Sequence, residues 1–549
     1  MKNSRHTAKS FYLFIAFLLL GSSLIKAQTT SYYFYVQFAD KNHSPYSLSN
    51  PSEYLSARSI ARRTAFNLTC DSTDLPVNPT YLQQIENLGI PVHSHSKWMN
   101  GATVLLVDSS LMSQVRALPF VKFVQYTGKL IGAVLSPALK VKSQMNLDYG
   151  TATTQINQLN GTSLHSEGYR GKGIQIGVLD AGFTNVDINP CFDSLRLQNR
   201  LLGTKDIINP NSNIYAENSH GAMVLSTMVG NLPGQFLGTA PDASFWLIRT
   251  EYDPTEYKVE TDFWCSGIEF ADSVGVDVIT SSLGYTQFDD ASMNFTYADM
   301  NGKVSRASRA ANLASKKGMV VVVCAGNEGS AGWHYISSPA DADGIVTVGS
   351  VTSTGISSSF SSFGPSYDGR VKPEVCAMGT NSALISTSGT QTTGFGTSFA
   401  TPITAGLIAC LLQKYKATSQ VPQVNTLFNS VFKSGSIYNN PTAQMGYGIP
   451  DFSKAEQNLP VFDSIRQVQR SNFVIVTNTV FNTISIRFTD GGIPINTTIR
   501  IYSVTGNLLV YQSITDSSTV LKADNFPAGI YAVCISENGK IETRKIIIR

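Results

Sequence analysis

Charge is scarce in this chain. Only 14% of its 549 residues are Asp, Glu, Lys or Arg, and 41 basic residues nearly balance 38 acidic ones, for a formal net charge of +3. No dense Lys/Arg cluster alternates with aromatic residues, so a nucleic-acid partner is not expected, and the small net charge offers no field for an anionic surface. Cysteine is equally sparse: seven residues spread from Cys70 to Cys534, none in a C-x-x-C pair. The odd number leaves at least one unpaired, the spacings match no zinc site, and disulfides do not define the fold. Disorder is excluded, because 42% of the residues are hydrophobic and can fill large cores.

What is present divides into regions. At roughly 150 residues per domain the length predicts about three or four folded units. Lys2, Arg5 and Lys9 precede the apolar run FYLFIAFLLL, and GSSLIKAQ follows with the small residue Ala27 at a cleavage point. The run falls short of the ~20 residues that span a bilayer, so residues 1–27 read as a secretory signal peptide rather than an anchor. No later segment looks transmembrane. Residues 28–135 alternate strand and helix: SYYFYVQF (31–38), YLQQIENLG (81–89, helix), GATVLLV (101–107), SSLMSQVRAL (109–118, helix) and VKFVQY (121–126). That order predicts a small α+β unit with an antiparallel sheet, able to stand alone.

From 136 to 458 the texture changes to short runs that are apolar throughout, GIQIGVLD, ASFWLIRT, VDVITSSLG, MVVVVCAG and GIVTVGS, as expected of parallel strands covered on both faces. Helix-like segments such as VLSTMVG and TDFWCSGIEFADSVG lie between them, predicting a doubly wound α/β domain. Residues 459–549 alternate extended runs with the turns VTGN and ENGK, predicting a small β-sandwich.

Four polar residues stand at the edges of the α/β elements. Asp180 ends the strand GIQIGVLD, where functional groups of open α/β sheets gather; alone, it could equally cap a helix or bind a ribose. His220 in NSHGAMV opens a helical run, whose dipole disfavours the imidazolium and would keep the ring neutral, although a helix-capping role is equally open. Asn327 ends the buried run VVVVCAGNEG, either as an amide donor into a cleft or as part of a turn. Ser398 in GTSFATP stands where a loop meets a helix with free backbone N–H groups; the plain alternative is an N-cap serine. Together, in the order Asp180, His220, Asn327, Ser398, they supply an orienter, a base, an oxyanion donor and a nucleophile.

At these residues the chain resembles the subtilisin-like serine proteases, through IGVLDAGF, NSHGAMV, CAGNEG and GTSFATP over about residues 140–455. The resemblance implies a central parallel sheet and a secreted endopeptidase acting on protein or peptide substrates. Ser398 would be the nucleophile, His220 the base, Asp180 its orienter, and Asn327 with the Ser398 N–H the oxyanion hole. Ser282, Leu283 and Gly284 resemble the family's substrate-binding strand; Tyr285 replaces a common second glycine, so the S1 pocket's shape does not follow from the resemblance. Ala222 likewise stands where threonine is usual after His-Gly.

By the same resemblance, residues 28–135, with YLSARSIARRTAFN, look like the propeptide of secreted Bacteroidetes proteases, an intramolecular inhibitor; the alternative is an unrelated binding domain. IYSVTG, PAGIY and the basic last strand are similar to the C-terminal sorting domain of type IX secretion substrates. This implies an outer-membrane secretion partner and an extracellular or cell-surface location, against an alternative adhesive or carbohydrate-binding sandwich. Calcium often stabilises such enzymes, yet no ligand set is evident, so neither metal nor cofactor is expected. A catalytically silent surface binding protein on the same fold is the rival reading, opposed by the intact Asp180, His220 and Ser398. A nucleotide-binding enzyme is a distant third, since GKGIQIG lacks a phosphate fingerprint.

Overall fold

Alternate residues of SYYFYVQF serve two different cores. In the computed structural model, which describes residues 30–130, 148–418, 423–459, 473–478, 483–488, 497–537 and 540–548, this segment is strand β1 (Ser31–Phe38). Phe34, Val36 and Phe38 point to one face and pack with Ile85, Val104 and Val115 of the N-terminal unit. Tyr33 and Tyr35 point to the other and pack against Phe263 and Ile268 of the helix Val259–Val274, as the two-residue period of a strand requires. The unit therefore does not stand apart: the described residues up to 459 form one compact body, and those from 473 onward a second.

The N-terminal sheet has the order β2–β3–β1–β4, antiparallel throughout, with β2 (Val92–Ser96), β3 (Gly101–Leu106) and β4 (Val121–Leu130). The expected helix at 81–89 runs instead over Pro79–Glu86, because Asn78 accepts from the Thr80 N–H at 2.9 Å and proline suits a first helical turn. The expected helix at 109–118 is a 3₁₀ turn, Ser109–Leu111, followed by Met112–Arg116. Neither β2 nor the helix Ala57–Ala65 is expected from the apolar runs of the sequence. The inward groups of that helix include Arg62 and Arg63, buried against the neighbouring domain.

The central sheet is parallel in the order β13–β12–β11–β10–β5–β9–β6. Its strands are β5 (Gln175–Asp180), β6 (Leu201–Asp206), β9 (Ser244–Arg249), β10 (Val278–Ser281), β11 (Val320–Cys324), β12 (Val346–Val351) and β13 (Val375–Met378). A two-residue ribbon, β7 (Asn231–Leu232) with β8 (Phe236–Leu237), lies outside it. Val320 and Val322 face the core built on helices His220–Val229 and Thr397–Thr418. Val321 and Val323 face the core of helices Val259–Val274 and Arg306–Lys316. Both faces are covered, which is the doubly wound α/β architecture that the continuous apolar runs predict.

The second body is a β-sandwich. Strands Phe473–Asn478, Thr483–Phe488 and Ser518–Lys522 form one sheet. Thr497–Ser503, Leu508–Ile514, Gly529–Glu537 and Lys540–Ile548 form the other. Ile484, Ile486 and Leu521 of the first meet Ile499, Ile501, Val533 and Ile535 of the second in one core. The expected signal peptide lies outside the described residues, among which no helix is long and apolar enough to cross a membrane.

Candidate active site

Asp180 is the last residue of β5 and is wholly buried. The helix that opens at His220 crosses directly over it. That approach requires Gly221: a Cβ there would lie 2.4 Å from Gly182 O and 2.9 Å from Asp180 Cβ. The His220 N–H donates to Asn218 Oδ1 at 2.7 Å, fixing the first turn. His220 Nδ1 then meets Asp180 Oδ1 at 2.8 Å, and the same oxygen accepts from the Ala181 N–H at 2.8 Å.

Burial opposes a charged imidazole, but the Asp180 carboxylate and its hydrogen bond outweigh it, with Glu251 and Asp253 assisting, and the net effect is a pKa raised above 6.5. The helix dipole is not the stronger influence on this histidine; the paired carboxylate is.

Ser398 is the second residue of the helix Thr397–Thr418, not its N-cap, and is 8% exposed. Gly396, at φ +144°, turns the chain into that helix. The next side chain, Phe399, packs against the His220 ring with centroids 6.1 Å apart. Ser398 Oγ donates to Ser282 O at 3.4 Å, and Ser282 Oγ donates to Ser398 O at 2.8 Å. Asn327 follows β11, and its Oδ1 accepts from the Thr397 N–H at 2.9 Å and Oγ1 at 3.1 Å. With the oxygen so held, its Nδ2 is the end left to donate.

Ser282, Leu283 and Gly284 continue from β10 beside the serine, and Cys324 Sγ donates to Leu283 O at 3.4 Å. Tyr285 does not line an open pocket. Its ring is wholly buried, its backbone exchanges hydrogen bonds with Ser338 at 2.8 and 3.2 Å, and its hydroxyl donates to Glu251 Oε2 at 3.1 Å. Ala222, 1% exposed, fills a tight position in the His220 helix.

The sequence reading missed Glu251, which bonds Tyr285 and acts electrostatically on both Asp180 and His220. Burial pushes its carboxyl up to about 7. Burial and then Glu251 push Glu256 up to about 9. The one available signal was the acidic density of EYDPTEYKVE after β9, in a chain where charge is otherwise sparse.

Comparison with known proteins places the regions of the chain in families. Residues 171–448 match the subtilase family, residues 33–144 the peptidase S8 propeptide domain of Bacteroidota, and residues 478–549 a secretion system C-terminal sorting domain. Subtilisin NAT of Bacillus subtilis subsp. natto is 28% identical over 334 residues, 60% of this chain and 75% of that protein. Subtilisin of Bacillus pumilus is 30% identical over 263 residues, 47% of this chain and 84% of that one. Among solved structures, the prenylagaramide maturation protease PagA superposes with a TM-score of 0.44 at 22% identity, over 55% of this chain and 98% of that one. The terminal matches set aside the alternatives of an unrelated N-terminal binding domain and an adhesive C-terminal sandwich. The chain belongs to the subtilase family of serine endopeptidases, with a propeptide domain before the catalytic domain and a type IX sorting domain after it that directs it to the cell surface or the medium.

Proposed function

We propose that the enzyme cleaves peptide bonds through Asp180, His220 and Ser398 by way of an acyl-enzyme. The observation that carries this reading is the 2.8 Å bond from His220 to buried Asp180, with the imidazole packed on Phe399 beside Ser398. The substrate lies extended along Ser282–Leu283–Gly284 and adds a strand to it. Ser398 Oγ attacks the scissile carbonyl while His220 Nε2 takes its proton. Asp180 holds Nδ1–H and stabilises the imidazolium that forms. Asn327 Nδ2 and the Ser398 N–H receive the oxyanion. His220 then protonates the leaving amine, and water, deprotonated by the same ring, releases the acyl group.

In this reading residues 1–27 are removed on export, 28–135 inhibit the catalytic domain 136–458 until released, and 459–549 engage the outer-membrane secretion machinery. Labelling of Ser398 by an organophosphonate, lost in Ser398→Ala together with peptide hydrolysis, is the expected result. Hydrolysis that persists in matured Ser398→Ala would reject the assignment, and an unlabelled wild-type serine would favour a silent binding protein.

A further inference from the structure

Beyond β9 the chain passes Asp180 and turns into the helix Val259–Val274, and three glutamates converge on that path. One carboxylate oxygen from each of Glu251, Glu256 and Glu260 lies within 4.8 Å of the other two. Glu260 is 1% exposed. Its Oε1 accepts one long bond, 3.4 Å from the Tyr252 N–H, and its Oε2 has no hydrogen-bond partner among the described residues; nor has Glu256 Oε1. Glu251 gives Oε2 to the Tyr285 hydroxyl.

The cations of the neighbouring elements are engaged elsewhere, and His220, which acts on Glu251, is bonded to Asp180. Arg249 pairs with Asp206 and Glu217, Arg306 with Asp262, and the Lys258 ammonium lies 4.5 Å from the centre of the Phe295 ring. A buried carboxylate with open lone pairs and no counter-charge is costly, and such groups in folded proteins are paired or bind metal.

We propose that Glu251, Glu256 and Glu260 bind a divalent, oxygen-seeking cation of the calcium type. The donors are all carboxylates, without the His or Cys that would draw zinc. Calcium takes six to eight oxygens at about 2.3–2.6 Å, so oxygens around one ion stand up to about 5 Å apart, which accommodates the observed spacing. Glu251 and Glu256 are half-buried and leave room for water to complete the shell. Bound there, the ion fixes Glu251 and, through the Tyr285 hydroxyl, the end of the strand that begins at Ser282. The site was invisible to motif reading because a loop and a helix start bring its members together, and it does not depend on which serine performs the chemistry.

Full-length protein carrying Ser398→Ala, stripped with a chelator, is titrated with calcium by calorimetry and with terbium by luminescence sensitised through Tyr285. The expected result is saturable binding, with Kd near or below the ~10⁻⁴–10⁻³ M of extracellular calcium modules. Glu256→Gln and Glu260→Gln, which keep shape and lose charge, each remove one ion per chain or weaken that ion at least about tenfold, with circular dichroism unchanged. Should Glu260→Gln fail to fold, the half-buried Glu256→Gln carries the test. Absence of calcium binding, or an isotherm unaltered by the substitutions, overturns the proposal. So does a calcium-silent protein whose double Gln variant, with Ser398 restored and the propeptide removed, loses preference for Lys or Arg in a peptide library, which would assign these acids to a substrate side chain.

Discussion

Ser282 Oγ donates to the carbonyl of Ser398 at 2.8 Å, and that carbonyl needs an outside donor because the residue four positions on is Pro402, which has no N–H to offer it. The segment Ser282–Gly284 and the helix Thr397–Thr418 are therefore tied at the proposed nucleophile. Ser282→Ala leaves a buried carbonyl unserved, at about 1–3 kcal/mol. The melting temperature is expected to fall by several degrees and kcat more than KM, with Ser282→Thr restoring both. Calorimetry and steady-state kinetics check this; an alanine variant with native melting and native kcat would show that the tie does neither job.

Where the N-terminal domain meets the helix Val259–Val274, Arg63 Nη2 lies 2.9 Å from Asp272 Oδ2 on that helix and 2.7 Å from Asp74 Oδ1 of its own domain, with every partner nearly or fully withdrawn from solvent. Arg62 also bonds Asp272, and Lys97 reaches it at 3.2 Å. Although burial pushes the other way, Lys97, Arg62 and Arg63 hold the Asp272 carboxyl well below the usual range. Without Arg63, Asp272 keeps Arg62 and Lys97 and Asp74 keeps Lys317, so the loss is that of charge-assisted hydrogen bonds, about 1.5–3 kcal/mol, rather than of a whole counter-charge. Arg63→Ala is expected to loosen the propeptide by about one to two orders of magnitude and to shorten the lag before full activity. Equal lag times in variant and wild type would mean that this ion cluster does not hold the domain.

In the proposed mechanism His220 is expected to set the acid limb of activity. With its pKa lifted above 6.5 by Asp180, the imidazole loses base function as pH falls through that raised value, and kcat/KM declines with it. Asp180→Asn removes the charge that lifts the pKa. The limb should move to lower pH while kcat drops by about 10⁴-fold, because the amide favours the wrong tautomer. A pH–rate profile of the two enzymes decides it: an unmoved limb would place the titrating group elsewhere.

Local order read well from the chain wherever one physical requirement dominated. The run VVVVC can only be a strand buried on both faces, and β11 is one; Asp180, His220, Asn327 and Ser398 stand at element ends because backbone groups and access coincide there. Pairings between distant segments could not be read in this way. ARSIARRTA has Ile60 as its only large apolar residue, so no apolar face marks it in the sequence; its buried Arg62 and Arg63 face Asp272, more than 200 residues away. The half-polar edge strand β6 lacks a continuous apolar run for the same kind of reason, being covered on one side only by β9. Tyr285 looked like a change in an open pocket, and only the fold reveals that its hydroxyl is taken up by Glu251.

Acidification should release the propeptide through His93. Its ring sits edge-on to Tyr33 at 5.3 Å and beside Phe263 at 5.2 Å, with Nε2 3.1 Å from Ile207 O. Burial pushes its pKa below 6.5, and the Ile207 carbonyl and Asp206 only partly oppose that. His95, Lys97, Lys205 and Glu269 line the same cleft. The docked histidine binds its proton less readily than the free one, so docking is fully favourable above about pH 6.5 and is lost as pH falls from there towards the lower docked value. The propeptide of wild-type enzyme should dissociate faster as pH drops from about 7 to about 5, while His93→Phe, which keeps a ring between Tyr33 and Phe263 but cannot charge, flattens the dependence. Release rates measured across that interval decide the matter: an equally steep profile in His93→Phe would transfer the response to the other groups of the cleft.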